Sequence, residues 1–260
     1  MKHDLVLKGG KLVTANETFI ADIGIKGGKI TTLGESLDGY DVINADKKLV
    51  MPGGIEAHCH IAQESGMGVM TSDDYETGSI SAAFGGNSSF VPFAAQKKGE
   101  SISDTIDEYD RRAKTKSVID YSYHLILTDP NQDVLNELPS AFERGITSFK
   151  VFMTYQTRVT DAQFLDILTV ARRHGGLTMV HAENHDMLSW MSNALTQAGY
   201  TEPRYHAPAR PGIAEEEAIN RAISLSKLAN APLMIVHVST PTGAELVAKA
   251  RMDGAYVFSE

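Results

Sequence analysis

Cysteine is nearly absent from this 260-residue sequence: Cys59 stands alone, so the chain carries no intrachain disulfide framework. Long apolar runs are missing too. The longest, such as Leu233 to Val236, are far too short to span a bilayer. The opening Met1-Lys2-His3-Asp4 leads into only a short apolar stretch, without the pattern of a signal peptide. There is no basic stripe: Lys and Arg number 24 against 33 Asp and Glu, a formal net charge of −9, which argues against a nucleic-acid partner. No low-complexity block occurs, and charged residues make up 22%, so a disordered chain is not expected. What is present is 42% hydrophobic residues, enough for one large domain or one plus a small appendage. These features describe a soluble, cytoplasmic protein with no membrane segment.

The first fifty residues read as short strands and turns. Asp4 to Lys8 ends at Gly9-Gly10, Lys11 to Thr14 follows, Ile20 to Ile25 reaches Gly27-Gly28, and Lys29 to Leu33 comes next. Period-two alternation broken by glycine turns predicts a small antiparallel β unit over residues 1–51. From Pro52 the texture changes. Seven apolar strand-like runs appear: Gly54 to Ile61, Ser88 to Ala94, Ile119 to Leu127, Thr147 to Met153, Leu177 to His181, Leu233 to Val238 and Ala255 to Phe258. Amphipathic stretches lie between them, including Ser103 to Lys116, Asp161 to His174, Ala214 to Ala229 and Pro241 to Met252. Thr160 with Gln163 is a capping-box pattern, and Thr240-Pro241 places proline at a first helical position. Alternating strand and helix predicts an α/β protein with a parallel sheet, here a (β/α)8 TIM-type barrel over residues 52–260 with seven of its eight strands covered. The chain stops just after the seventh run, as expected of a barrel that is a fragment or has been cut. The stretch from Asp186 to Ile213, with three prolines, is expected to form an elaborated excursion near the site.

In such a barrel, chemistry gathers at the C-terminal ends of the strands. The first run ends His58-Cys59-His60, and alternation puts both imidazoles on one face, where they are either solvated loop residues or a pair able to bind one metal ion. Cys59 then points to the packing side. The fifth run ends at His181 and the sixth reaches His237. Four histidines at equivalent strand ends favour the metal reading. The fourth run holds Lys150 among Phe149, Val151 and Phe152. One reading is a lysine that snorkels to the surface or pairs with a carboxylate. The other is a buried free amine that takes up CO₂ and becomes a carbamate, an anionic ligand able to bridge two metals.

These residues resemble a known family, the dihydropyrimidinase/hydantoinase type of cyclic amidohydrolase. The resemblance spans essentially the whole chain. It rests on Pro52-Gly53-Gly54-Ile55-Glu56-Ala57-His58-Cys59-His60, Asp73 to Gly78, Phe84-Gly85-Gly86, Ser148 to Tyr155, Val180-His181-Ala182-Glu183-Asn184 and Val236 to Ser239. It implies that His58 and His60 bind one metal, that His181 and His237 bind a second, and that Lys150, as N6-carboxylysine, bridges both. It implies that Tyr155 binds the substrate carbonyl and its oxyanion. Zinc would be the usual metal, with manganese accepted, and the assembly a homotetramer or dimer. Residues 1–51 would form the N-terminal share of a β-sandwich built from both chain ends. The implied reaction is hydrolysis of a dihydropyrimidine or 5-substituted hydantoin by a metal-bridging hydroxide, giving an N-carbamoyl amino acid.

Departures bear on specificity. Glu56 stands where the family usually has Asp, and the segment Gln63 to Met70, part of the family's lid over the ring substituent, is unlike that of better-known members. The aspartate that completes the metal site and shuttles the proton, and a later serine and asparagine, belong beyond residue 260, so the 260-residue form alone is expected to be inactive. Allantoinase or another cyclic-ureide hydrolase is the alternative activity, and a non-catalytic scaffold relative a more distant one. Dihydroorotase resembles a His-x-His-x-Arg pattern, and Ala62 takes the arginine's place here.

Overall fold

The computed structural model describes residues 2–65 and 68–260. Gly66 and Met67, in the segment read as part of a lid, lie outside the described residues. The chain divides into two compact units, Met1–Gly54 and Ile55–Glu260.

The first unit contains β1 (His3–Val13), β2 (Thr18–Lys26), β3 (Lys29–Gly34), β4 (Gly39–Asn44) and β5 (Leu49–Val50). β1 pairs antiparallel with β2, and β2 with β3, as the alternation predicts. The sheet as a whole is mixed, because β4 and β5 both lie parallel to β1. Gly9-Gly10 does not end a strand. β1 runs through it with a register slip between Leu7 and Gly10. Gly9 sits at φ 71°, and a Cβ on Gly10 would stand 2.6 Å from Val50 Cγ2, so the glycine pair makes a bulge where β5 closes in. Leu12, Ala21 and Ile23 form this unit's core, with Leu7, Phe19, Ile25 and Val50 packed against them.

The second unit alternates strand and helix in the order β6 (Gly54–Cys59), α1 (Tyr75–Phe84), β7 (Asn87–Ala95), α2 (Ile102–Ala113), β8 (Asp120–Tyr121), β9 (His124–Ile126), α3 (Gln132–Glu143), β10 (Ser148–Phe152), α4 (Asp161–Arg173), β11 (Leu177–His181), α5 (His185–Gln197), α6 (Gly212–Ala229), β12 (Leu233–Ile235), α7 (Pro241–Met252) and β13 (Val257–Ser259). The sheet order β6-β7-β9-β10-β11-β12-β13 follows the chain, and the neighbours from β7 to β13 pair parallel. Sequential parallel strands joined by helices are the wall of a TIM-type barrel. Among the described residues, no helix is long and apolar enough to cross a membrane.

The single run expected at Ile119 to Leu127 is two strands, β8 and β9. Between them the Tyr123 ring turns into a cluster with Tyr75, Tyr109 and Tyr121, and its hydroxyl donates to Asp110 at 3.1 Å. Helix starts follow the side-chain signals. Thr160 and Gln163 cap each other at the start of α4, and the Thr240 hydroxyl accepts from Gly243 N with Pro241 at the first position of α7. The excursion after β11 is partly helical, since α5 starts at His185 with the Asn184 side chain accepting from the backbone N–H groups of Asp186 and Met187.

Two apolar layers result from strand alternation. Phe149, Val151, Val180, Leu233 and Ile235 face the helices and pack with Ile106, Leu138, Phe164 and Ile219. Phe93, Ile126, Met179 and Val236 form a separate inner cluster, with Phe152 and Met234 against it. Each fully buried side chain of this kind stabilises the fold by roughly 1.5–3 kcal/mol. Lys150 falls between the two outward residues Phe149 and Val151, so period two turns it to the inside.

Candidate active site

Lys150 is 1% exposed. Its Nζ lies 4.8 Å from the ring centres of both Phe93 and Phe152. Burial pushes its amine down to about 8, opposed in part by the charge of Glu260. It neither snorkels nor forms a short ion pair: among the described residues, no salt bridge includes it.

The same Phe93 ring supports the first histidine pair. His60 stacks on it at 4.7 Å, His58 meets it edge-on at 4.8 Å, and the two imidazoles stand 5.7 Å apart. His237 lies 5.5 Å from His58 and 4.6 Å from His181, ring centre to ring centre. Phe152, the other support of Lys150, lies 5.6 Å from His181. The four imidazoles and the amine named from the sequence therefore meet at one end of the sheet. Burial lowers His60, and the charges of Lys150, His58 and His181 lower it further, against the hydrogen bond that its ring donates to Gln63. Burial, then the charges of His181 and Lys150, bring His237 down to about 4. The rings are therefore neutral near pH 7 at these two positions, the form that binds a metal.

The hydrogen-bond partners decide which ring nitrogens are free. His58 Nδ1 is held by a Glu260 carboxylate oxygen, His60 Nδ1 by Gln63 Oε1 at 2.7 Å, and His181 Nε2 by Glu183 Oε2 at 2.5 Å. Carboxylate and amide oxygens only accept, so those nitrogens carry the hydrogen and the opposite ones keep their lone pairs. The free atoms are Nε2 of His58, Nε2 of His60 and Nδ1 of His181. The last stands 3.1 Å from His237 Nε2. Two nitrogens on one tetrahedral ion at ~2.05 Å would stand about 3.3 Å apart, so the pair fits a shared cation. Among the described residues, no three His, Cys, Asp or Glu side chains are grouped to hold a metal ion. The arrangement is instead two imidazole pairs with a lysine near both, a donor set that suits metal once the amine becomes an anionic ligand.

Tyr155 stands at the rim, half exposed, with its ring 5.1 Å from that of His181. Burial raises its phenol, and the adjacent Arg210 opposes that. Tyr155 and His237 are both non-glycine residues in the left-handed region, at φ 68° and 42°. Each such residue costs about 1–3 kcal/mol unless its surroundings enforce it, and strain of this kind gathers at functional sites. Cys59 packs against the outer core, and burial pushes its thiol up to about 12, which leaves it inert.

Several groups at the site carry no role in the sequence reading. Glu183 follows His181 by two, a same-face spacing that could have marked it. Burial pushes its carboxyl up, but hydrogen bonds from His181 and Arg210 outweigh this and hold it at about 2. Arg210 arrives from the excursion and grips Glu183 and Tyr155. His124 on β9 accepts or donates at Ser148 Oγ (2.5 Å) and reaches the Ala57 carbonyl at 3.0 Å, tying β6 to β10 beneath the imidazoles. No local pattern marks either residue.

No protein-family model matches the chain. It is 42% identical over 260 residues to D-hydantoinase of Geobacillus stearothermophilus, covering 98% of this chain and 55% of the relative. It is 33% identical over 266 aligned positions to dihydropyrimidinase of Rattus norvegicus, covering 98% and 51%. A solved structure of dihydropyrimidinase from Brevibacillus agri NCHU1002 superposes with a TM-score of 0.95 at 41% identity, covering 98% of this chain and 56% of that one. The chain spans about half the length of the curated relatives it matches.

Proposed function

Since the chain belongs to the dihydropyrimidinase/hydantoinase family, we propose that the full-length protein hydrolyses the ring amide of a dihydropyrimidine or 5-substituted hydantoin. Water adds across one ring C–N bond and the product is an N-carbamoyl amino acid. The observation that carries this reading is a lysine amine, 1% exposed and depressed by burial, set among four imidazoles, three of which are held at one ring nitrogen by Glu260, Gln63 or Glu183 so that the other nitrogen keeps its lone pair.

In this reading His58 and His60 would hold one divalent metal and His181 and His237 a second. The Lys150 amine would combine with CO₂, losing a proton, and the resulting carbamate would be the anionic ligand the two metals share. Imidazole-rich ligation suits zinc, with manganese as the alternative. When bound, the metal pair supplies ionised water near neutral pH and polarises the ring carbonyl. Tyr155 donates its phenolic hydrogen to the carbonyl oxygen as negative charge builds there. Glu183 and Gln63 keep His181 and His60 in the tautomers the ligand role needs. The first fifty-one residues are assigned as a share of a β-sandwich, supported by the exposed apolar side chains of Ile20, Ile30, Leu33 and Val42. Homotetrameric or dimeric assembly and a cytoplasmic location complete the proposal, the lone cysteine being in keeping with the latter.

Metal analysis of the full-length protein, with turnover of dihydrouracil, substituted hydantoins and allantoin, tests it. About two metals per subunit and ring opening of the first two substrates are expected. A metal-free protein without turnover refutes the reading, and turnover of allantoin alone replaces the substrate class.

A further inference from the structure

One arginine touches both the oxyanion tyrosine and the carboxylate behind a candidate metal ligand. Arg210 Nε donates to Glu183 Oε1 at 3.0 Å, and Nη2 donates both to Glu183 Oε2 and to the Tyr155 hydroxyl, the latter at 3.0 Å. The guanidinium carbon also lies 5.3 Å from the Tyr155 ring centre. Glu183 in turn holds His181 Nε2. Arg210 is itself fixed, because its backbone N–H bonds to Ala207 O and Pro211 follows it as the residue before α6. The excursion is tied back at a second point, where Asn184 N donates to Ala214 O and the Asn184 amide donates to Glu217.

We propose that Arg210 is a positioning residue that sets the Tyr155 phenol as a donor toward the reacting carbonyl and holds Glu183 on His181, so that one guanidinium orients both the oxyanion donor and a metal ligand. This rests on the function proposed above. The chemical reason is the donor inventory. A guanidinium has five N–H groups and no acceptor. When one of them occupies a lone pair of the phenol oxygen, the phenolic hydrogen cannot be given to Arg210 and is left for a substrate oxygen. The two remaining contacts grip both oxygens of Glu183 in the fork geometry that a lysine cannot reproduce. Tyr155 lies in the left-handed backbone region, so its place depends on such external contacts.

The test uses the full-length protein with Arg210→Met and Arg210→Lys, each alone and with Tyr155→Phe. Arg210→Met is expected to lower kcat by about 10-fold or more with KM little changed, and to yield the metal to a chromophoric chelator at about 10-fold lower concentration. In the Tyr155→Phe background the kcat effect of Arg210→Met should shrink to less than about 2-fold, because the donor it orients is gone. Arg210→Lys should show the same signature at smaller size, and it carries the test if Arg210→Met does not fold. Independent multiplication of the Arg210 and Tyr155 effects, unchanged chelator resistance, or a lysine variant equal to wild type in both readouts overturns the proposal. A wild type that holds no metal and opens no ring refutes the reading beneath it instead, and the inference falls with it.

Discussion

Replacing Lys150 by Met tests the central assignment without any substrate. The amine is 1% exposed and burial brings it from 10.5 to about 8. Each pKa unit is worth 1.36 kcal/mol, so burying the charged form costs ~3 kcal/mol in the protein stripped of metal and CO₂. The sign follows from proton counting. Between about pH 8 and 10.5 the unfolded chain binds the proton and the folded one does not, so stability rises with pH across that window. Below it both states are protonated and the full cost remains; above it both are neutral and the cost is gone. Methionine keeps an unbranched stem against Phe93 and Phe152 and has no charge to bury. Lys150→Met should therefore stabilise the stripped protein by ~3 kcal/mol at pH 7 and remove this part of the pH dependence. Urea unfolding of both proteins at intervals from pH 7 to 10.5, in degassed buffer with chelator, reads the difference and cancels every other titrating group. Parallel curves for the two proteins, or a methionine variant less stable than wild type at pH 7, would show that burial does not depress the amine in the barrel interior and would remove the basis for carbamate formation.

Lys150→Ala in the holoenzyme should lose bound metal and ring-opening activity together, and a short-chain carboxylic acid should restore part of both by standing in for the carbamate; full activity without rescue would end the two-metal reading. Tyr155→Phe should reduce kcat by about 100-fold at unchanged metal content, measured by steady-state kinetics beside metal analysis, since only an oxyanion donor is removed. Metal loss in that variant would mean the residue supports the centre itself. Thr160→Ala should cost about 1 kcal/mol in urea unfolding with metal content unaltered, because it removes the capping box of α4, whose partners are Gln163 and the helix's own backbone.

Some of the site was legible residue by residue. His58 and His60 share a face because strand side chains alternate, and Lys150 turns inward because Phe149 and Val151 turn outward. Thr160 and Thr240 announced their helices through side-chain oxygens placed to accept the first free N–H groups. The glycines misled at Gly9-Gly10, since a glycine pair serves a turn and a bulge equally, and only the approach of Val50 distinguishes them. The run from Ile119 to Leu127 misled as well: its composition suits one strand, and the break comes from the Tyr123 ring joining aromatic partners on α1 and α2.

What the sequence determined by itself was periodic: which residues face the helices, which face the interior, and which polar groups end each strand. The second layer of the site lay beyond that. Gln63 on His60 is local, but His124 reaches Ala57 across 67 residues, and Arg210 reaches Tyr155 across 55. Periodicity is a property of neighbours along one element, whereas a hydrogen bond between distant loops exists only after the sheet has curled and the β11–α6 excursion has packed back over the strand ends. Tertiary structure alone therefore decided that the His124 imidazole and the Arg210 guanidinium fix the orientation of groups the sequence had already placed.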